Sequence, residues 1–344
     1  MRGWVGLMCG ALVLAGCTPP PPSAQIGPER LAMNLMPIDK TSRIPVDLWA
    51  CVEDAPGNAP AIKEAVCTDR LASGGYQHTT IALLLVSRSQ ARRELGNFVG
   101  AMNDLNESIR IRTDLGVAYA NRAALHLATG RPSQAVADYD AAAPRVPASV
   151  GLLTSRAFAL IAIGQYDRAM ADAEAAVVLD PRRAIALTAR GMVHAKLNRG
   201  AEALRDFDAA IALGPREFAG WVERGRLRLD RGDGVAALSD LDVAVGLEPR
   251  SNGVRLLRGM AHNLVGNLAL AMADLDLAIA AAPGNAGAFN QRAIVQARRG
   301  NKVQALADLE EAVRLDPASA AYRNNLRLLR SGAALPWRPA MPGV

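Results

Sequence analysis

The sequence predicts an all-α array of seven stacked helix hairpins, and three observations carry that prediction. Prolines at Pro147, Pro181, Pro215, Pro249, Pro283 and Pro317 are each 34 residues apart. Alanine keeps the same step at Ala135, Ala169, Ala203, Ala237, Ala271 and Ala305. So does an Arg-Ala or Arg-Gly pair, at Arg122-Ala123, Arg156-Ala157, Arg190-Gly191, Arg224-Gly225, Arg258-Gly259 and Arg292-Ala293. Self-similarity at a period of this length is the mark of a repeat architecture.

With proline as position 32, units start at Gly116, Val150, Ala184, Phe218, Asn252 and Ala286, and a weaker first unit at Ala82. In that first unit Thr113 replaces the proline and Ser108 replaces an alanine. The seven units are 82–115, 116–149, 150–183, 184–217, 218–251, 252–285 and 286–319. Small residues at position 8 (Ala123, Ala157, Gly191, Gly225, Gly259, Ala293) and alanine at position 20 let two antiparallel helices approach closely. Position 27 is alanine from Ala142 to Ala312 and is expected to receive the next unit. Gly130, Gly164, Gly232, Gly266 and Gly300 stand where the first helix must stop, because glycine takes the left-handed turn readily. The proline stops the second helix by forcing the residue before it out of helical geometry. One such hairpin cannot bury its apolar face alone, so units must stack.

The period, the small residues and the closing proline resemble the tetratricopeptide repeat. That resemblance implies a right-handed superhelical solenoid whose concave surface, lined by the first helix of each unit at positions 2, 5, 9, 12 and 13, holds a protein or peptide. The lining it implies includes Ala124, Leu127, Thr154, Phe158, Ile161, Thr188, Met192, Val222, Arg226, Leu256 and Met260. It reads as an apolar groove suited to hydrophobic anchors of a helical or extended peptide. Lys196, Arg226, Asp230, Asn263, Asn290 and Arg298 add charge and amides further along. The Lys/Asn carboxylate clamp of chaperone-binding members is missing, since Val86 and Gln90 occupy its first-repeat positions.

This sequence departs from the family pattern in charge. Position 7 is arginine and position 23 aspartate in all seven units, where the family usually has apolar residues. Paired replacement by opposite charges predicts contact. The expected ladder joins position 23 of one unit to position 7 of the next: Asp138 to Arg156, Asp172 to Arg190, Asp206 to Arg224, Asp240 to Arg258 and Asp274 to Arg292. His126, His194 and His262 recur at position 11 of alternate units. Stacked helices lie roughly 8–10 Å apart, so histidines two units apart cannot share a metal ion. They are read as substitutes for the usual tyrosine, and no metal is expected.

The remaining segments frame the array. Residues 1–16 read as a secretory signal: Arg2 supplies charge, and the apolar stretch 5–16 is too short to span a bilayer as a stable helix. Leu14-Ala15-Gly16-Cys17 resembles the bacterial lipoprotein box, which implies lipidation of Cys17. Thr18 at the next position, rather than aspartate, implies the outer membrane. Residues 17–45 are a proline-rich tether, extended at about 3.1 Å per residue. Within it Leu31, Met33, Leu35 and Met36 leave a docking segment open as an alternative to a plain spacer. If Cys9 leaves with the signal and Cys17 carries lipid, Cys51 and Cys67 are the two remaining thiols. An oxidising periplasm favours their disulfide. It would pin a cap, 46–81, in which 64–68 imitates the second helix of a repeat. Residues 320–330 are expected to form a helix covering the last unit, and 331–344 a disordered tail or a short partner motif.

Charge and composition narrow the function further. The formal charge is +6, almost all from arginine; lysine occurs at Lys40, Lys63, Lys196 and Lys302 alone. Acids sit among the arginines, and no contiguous basic run marks a nucleic-acid surface. No phosphate loop, HExxH or nucleophile elbow is present. The reading is a non-catalytic interaction scaffold in the bacterial envelope, without cofactor, supporting an assembly or secretion machine. A holdase-like periplasmic chaperone and an adaptor of a cell-wall enzyme are the alternatives.

Overall fold

The computed structural model describes Cys51 and residues 59–336. The segment 1–50, with Cys17 and the tether, and residues 337–344 lie outside the described residues. Among the described residues the regular structure is helical throughout. Two compact units divide the chain between Asp180 and Pro181.

The first unit holds α1 (Pro60–Ser73), α2 (His78–Glu94), α3 (Phe98–Ile111), α4 (Gly116–Ala128), α5 (Pro132–Ala142), α6 (Val150–Ala162) and α7 (Tyr166–Leu179). The second holds α8 (Ala184–Lys196), α9 (Gly200–Leu213), α10 (Phe218–Asp230), α11 (Gly234–Leu247), α12 (Asn252–Val265), α13 (Leu268–Ala281), α14 (Ala286–Arg298), α15 (Lys302–Leu315) and α16 (Ala320–Arg330). From α2 to α15 the helices pair off as seven hairpins in step with the 34-residue period. The first helix of each pair is called helix A below and the second helix B.

Local chemistry sets the helix ends. Gly164, at φ 76°, ends α6 in the left-handed region, and Asn198 takes the same turn at φ 59° after α8. Side chains of Asn97, Ser149, Asp233, Asn285 and Ser319 accept from backbone N–H groups at helix starts. Such caps satisfy donors that the first helical turn leaves unpaired.

The core of each hairpin lies where the small residues allow it. The alanines at positions 20 and 27 of units two to seven are at most 2% exposed. A Cβ built on Gly191 would lie 2.6 Å from Phe207, and one on Gly225 would lie 2.9 Å from Leu241. Position 8 is therefore small because the large residue at position 24 of helix B lies against it. Unit three inverts this arrangement: Ala173 stands at position 24, and Leu160 of helix A, fully buried, supplies the bulk.

The charged pairs form, but between other partners than the sequence suggests. Arg122 donates from Nε and Nη2 to Asp138 at 2.8 and 2.7 Å, within one hairpin. The same two-pronged bond joins Arg156 to Asp172, Arg190 to Asp206, Arg224 to Asp240, Arg258 to Asp274 and Arg292 to Asp308. Arg88 and Asp104 repeat it in the first hairpin. Each aspartate thus meets the arginine 16 residues before it, not the one 18 residues after. Close approach of the two helices, set by the small residues, puts positions 7 and 23 face to face inside the hairpin. The step to the preceding unit uses the third nitrogen. Nη1 donates to position 25 of that unit: Arg122 to Asn106, Arg156 to Asp140, Arg224 to Asp208, Arg258 to Asp242 and Arg292 to Asp276. One guanidinium closes its own hairpin and ties it to its neighbour.

The ends of the array are finished differently. Cys51 and Cys67 form a disulfide, wholly buried and packed against Leu84 of α2. From α1, Glu64 pairs with Arg92 at 2.9 Å and Thr68 accepts from Arg88. At the other end α16 buries Tyr322, Leu326 and Leu329. The stretch expected to be a free tail begins packed: Leu335 is buried with Leu326, Leu329 and Ile294.

Candidate functional site

The candidate site is the side of each unit formed by the A helices. Within each compact unit, helix A touches its own helix B, the preceding helix B and, for most pairs, the neighbouring helix A. This leaves its side chains little free surface, and the structure corrects the expectation of an open apolar groove. Nine of the eleven predicted lining residues are buried: Ala124, Leu127, Thr154, Phe158, Ile161, Thr188, Met192, Val222 and Leu256. Arg226 and Met260 remain half-buried. The apolar residues at positions 5, 9 and 12 therefore act in packing.

Polar side chains stand out on this side of the second unit. Arg226 of α10 is held by Glu223 one turn earlier, with Nε at 3.0 Å from the carboxylate, and its Nη1 lies 3.6 Å from Asp230. Burial works against the Arg226 charge, and Glu223 and Asp230 more than offset it. Lys196 of α8 feels the same group; burial, helped by Arg226, brings its amine down to about 8. Burial pushes Asp230 up from the ordinary carboxylate range, against the pull of Arg226 and Lys196. Arg298 of α14 donates to the Asn263 side chain on α12 at 2.5 Å, and Asn325 of α16 donates to Asn290 at 2.8 Å. In the first unit Gln90 donates to Asn121 at 3.2 Å. Amide and charged links thus join neighbouring A helices on the side where a ligand would lie.

The sequence singled out Lys196, Arg226, Asp230, Asn263, Asn290 and Arg298 but missed Glu223 and Asn325. The available signal was the spacing of Glu223 three residues before Arg226, a helical neighbour pair. Position 11 also gains a role. His126, His194 and His262 turn Nε2 toward the aspartate of their own hairpin at 3.6, 3.8 and 4.0 Å. Their Nδ1 atoms are buried with no hydrogen-bond partner among the described residues. Among the described residues no group of three or more His, Cys, Asp or Glu could hold a metal ion. No described helix is long and apolar enough to cross a membrane.

Comparison with known proteins accounts for the hairpins. Residues 154–218 and 222–286 match the family model described as tetratricopeptide repeat. These residues are tetratricopeptide repeats. No curated protein matches the chain in sequence. Among solved structures it is similar to a tetratricopeptide repeat protein from Parabacteroides merdae, with 20% identity and a TM-score of 0.55 over 72% of this chain and 98% of that one. It also resembles yeast Tom70, with 14% identity and a TM-score of 0.58 over 89% of this chain and 69% of that one. The Cut9–Hcn1 complex of APC/C gives 17% identity and a TM-score of 0.62, over 79% of this chain and 53% of that one. At these identities the likeness is one of tetratricopeptide-repeat fold.

Proposed function

We propose that this chain is a non-catalytic scaffold that holds a peptide or protein segment of a partner on its A-helix side. The observation that carries the reading is a contrast within the repeat. Positions 7, 20 and 23 keep one chemistry through units two to seven, whereas the half-buried polar side chains of the A helices differ from unit to unit, as at Asn121, Lys196, Arg226 and Arg298. A fixed frame with a varied lining suits recognition of an irregular ligand. The second unit's polar group around Arg226 gives that ligand a place to be fixed by charge. By the lipoprotein box, the scaffold is anchored through lipid on Cys17 in the bacterial envelope, facing the periplasm, where it supports an assembly or secretion machine.

The test is a crosslinked pull-down from detergent-solubilised envelope, using the full chain, Met260→Asp and Asp230→Arg, with each variant's melting temperature checked. One stoichiometric partner, lost in the variants while the fold persists, supports the scaffold. Binding of many unfolded clients instead supports a chaperone, and recovery of the chain alone removes the reading. Cys17→Ser releasing the protein into the soluble fraction tests the anchor.

A further inference from the structure

Two helices of the second compact unit are apolar on every side. α11 and α13 contain no lysine, arginine or glutamate, and their charges are Asp240, Asp242, Asp274 and Asp276. All four are bound by arginines of A helices: Asp240 by Arg224 and Arg228, Asp242 and Asp274 by Arg258, and Asp276 by Arg292. Because Arg258 reaches both helices, their outward faces lie side by side. Those faces raise Val235, Val243, Leu270 and Leu277, between 37% and 74% exposed. Ser239, Gly246, Ala273 and Ala280 leave hollows among them. The flanking B helices differ: α9 exposes Glu202 and Arg205, and α15 exposes Lys302, Glu310 and Arg314. A helix that is apolar all round is ordinarily a buried helix. An exposed apolar patch with a polar rim marks an interface.

We infer that the outer face of α11 and α13 is a dimer interface, covered by the same face of a second copy of this chain. The surface lies on the B helices, so the inference does not rest on the A-helix reading. Three observations favour a second copy over another partner. With its four aspartates already bound, the face offers no charge for a charged motif to pair with, whereas two such faces match each other. Its composition is that of homodimer interfaces, which are more apolar than the rest of a protein surface, as interfaces between separate partners are not. Its size also fits. α9, α11, α13 and α15 each have 14 residues. At about 21 Å per helix and about 10 Å between axes, the four present about 800 Å², what one partner of a stable complex contributes. α11 and α13 alone supply half of that, so the flanking helices must meet too. A two-fold axis along the groove between α11 and α13 sets α11 of each copy against α13 of the other, position for position. Val243 then faces Leu277, and Val235 faces the small Ala269. The same axis sets α9 against α15, which brings Arg205 within one turn of Glu310 of the partner subunit, opposite charges at the rim.

The experiment is sedimentation equilibrium of the full chain in density-matched detergent, beside Val243→Lys, Leu277→Asp and Val99→Asp. Val243 and Leu277 stand at position 26, where units one and seven carry Glu107 and Glu311, so the fold accepts a charge there and melting temperatures should hold. The wild type should sediment as a dimer. Val243→Lys and Leu277→Asp should each raise the dimer dissociation constant by roughly tenfold or more, because each sets a charge against an apolar residue. Mixed in equal amounts, the two variants should associate again, since the new lysine then faces the new aspartate across the axis. Val99→Asp, at a 75% exposed valine of α3, should leave association unchanged. A wild type that is monomeric at every concentration overturns the inference, whether or not another protein then covers the face. So does a dimer that survives both variants, or a pair of variants that does not recover on mixing.

Discussion

Units three and five share one clamp and differ in what stands beside it. In unit five, Asp240 is 1% exposed and receives Arg224 through two bonds and Arg228 through a third at 2.8 Å. In unit three, Asp172 receives Arg156 alone within its hairpin, and position 11 is Leu160. The same buried carboxylate is thus tolerated beside a second cation or beside an aliphatic chain. The bidentate arginine is what the fold requires, and position 11 adjusts the local charge. Units two, four and six take a middle course with histidine.

This comparison can be broken most forcefully at Asp240. Asp240→Ala leaves two half-buried arginines without their carboxylate and should cost about 3–5 kcal/mol in denaturant unfolding, the range for breaking a buried pair. Asp172→Ala strands one arginine that still reaches Asp140 at 3.3 Å, and should cost less, about 2–3 kcal/mol. Equal losses in the two variants would mean that Arg228 contributes nothing. Next comes the packing beneath the clamp. Gly191→Val drives a branched side chain into Phe207 and should cost about 1–3 kcal/mol. The matching change at Ala157 should be milder, because Ala173 faces it where Phe207 faces Gly191.

The histidines give a finer comparison. Burial lowers His126 and His262 below their ordinary 6.5, against the pull of Asp138 and Asp274. The unfolded chain then takes up protons before the folded one, so stability is full above about pH 6.5 and falls as pH drops through that value. His126→Gln with His262→Gln, copying Gln296 of unit seven, should flatten that part of the stability–pH curve. The smallest effect belongs to the exposed pair Glu107–Arg110: Glu107→Ala should leave the unfolding midpoint unchanged.

Much of this was legible in the chain itself. Proline, glycine and alanine at fixed offsets gave helix ends and helix contacts, because those residues act through backbone geometry and size. Glu64 to Thr68 was likewise recognisable as a partial helix B. The partners of the aspartates were not legible. A strict 34-residue repeat places an arginine 16 residues before each position-23 aspartate and another 18 residues after it, so periodicity cannot choose between them. Only the closeness of the two helices in a hairpin decides. The A-helix side was misjudged for a related reason: Phe158, Met192 and Val222 fall where a ligand would touch, but close neighbouring helices bury them.

The third nitrogen of the clamps in units five to seven bears on how such a protein changes length. Arg258 reaches back to Asp242, and Arg224 reaches back to Asp208, through the same atoms. Excision of residues 218–251 would therefore present Arg258 with Asp208, a joint of unchanged chemistry. Units five and six each bring a socket for the successor and a plug for the predecessor. The gene can gain or lose whole modules without a new junction having to evolve, whereas a cut of any other length would leave plug and socket out of step.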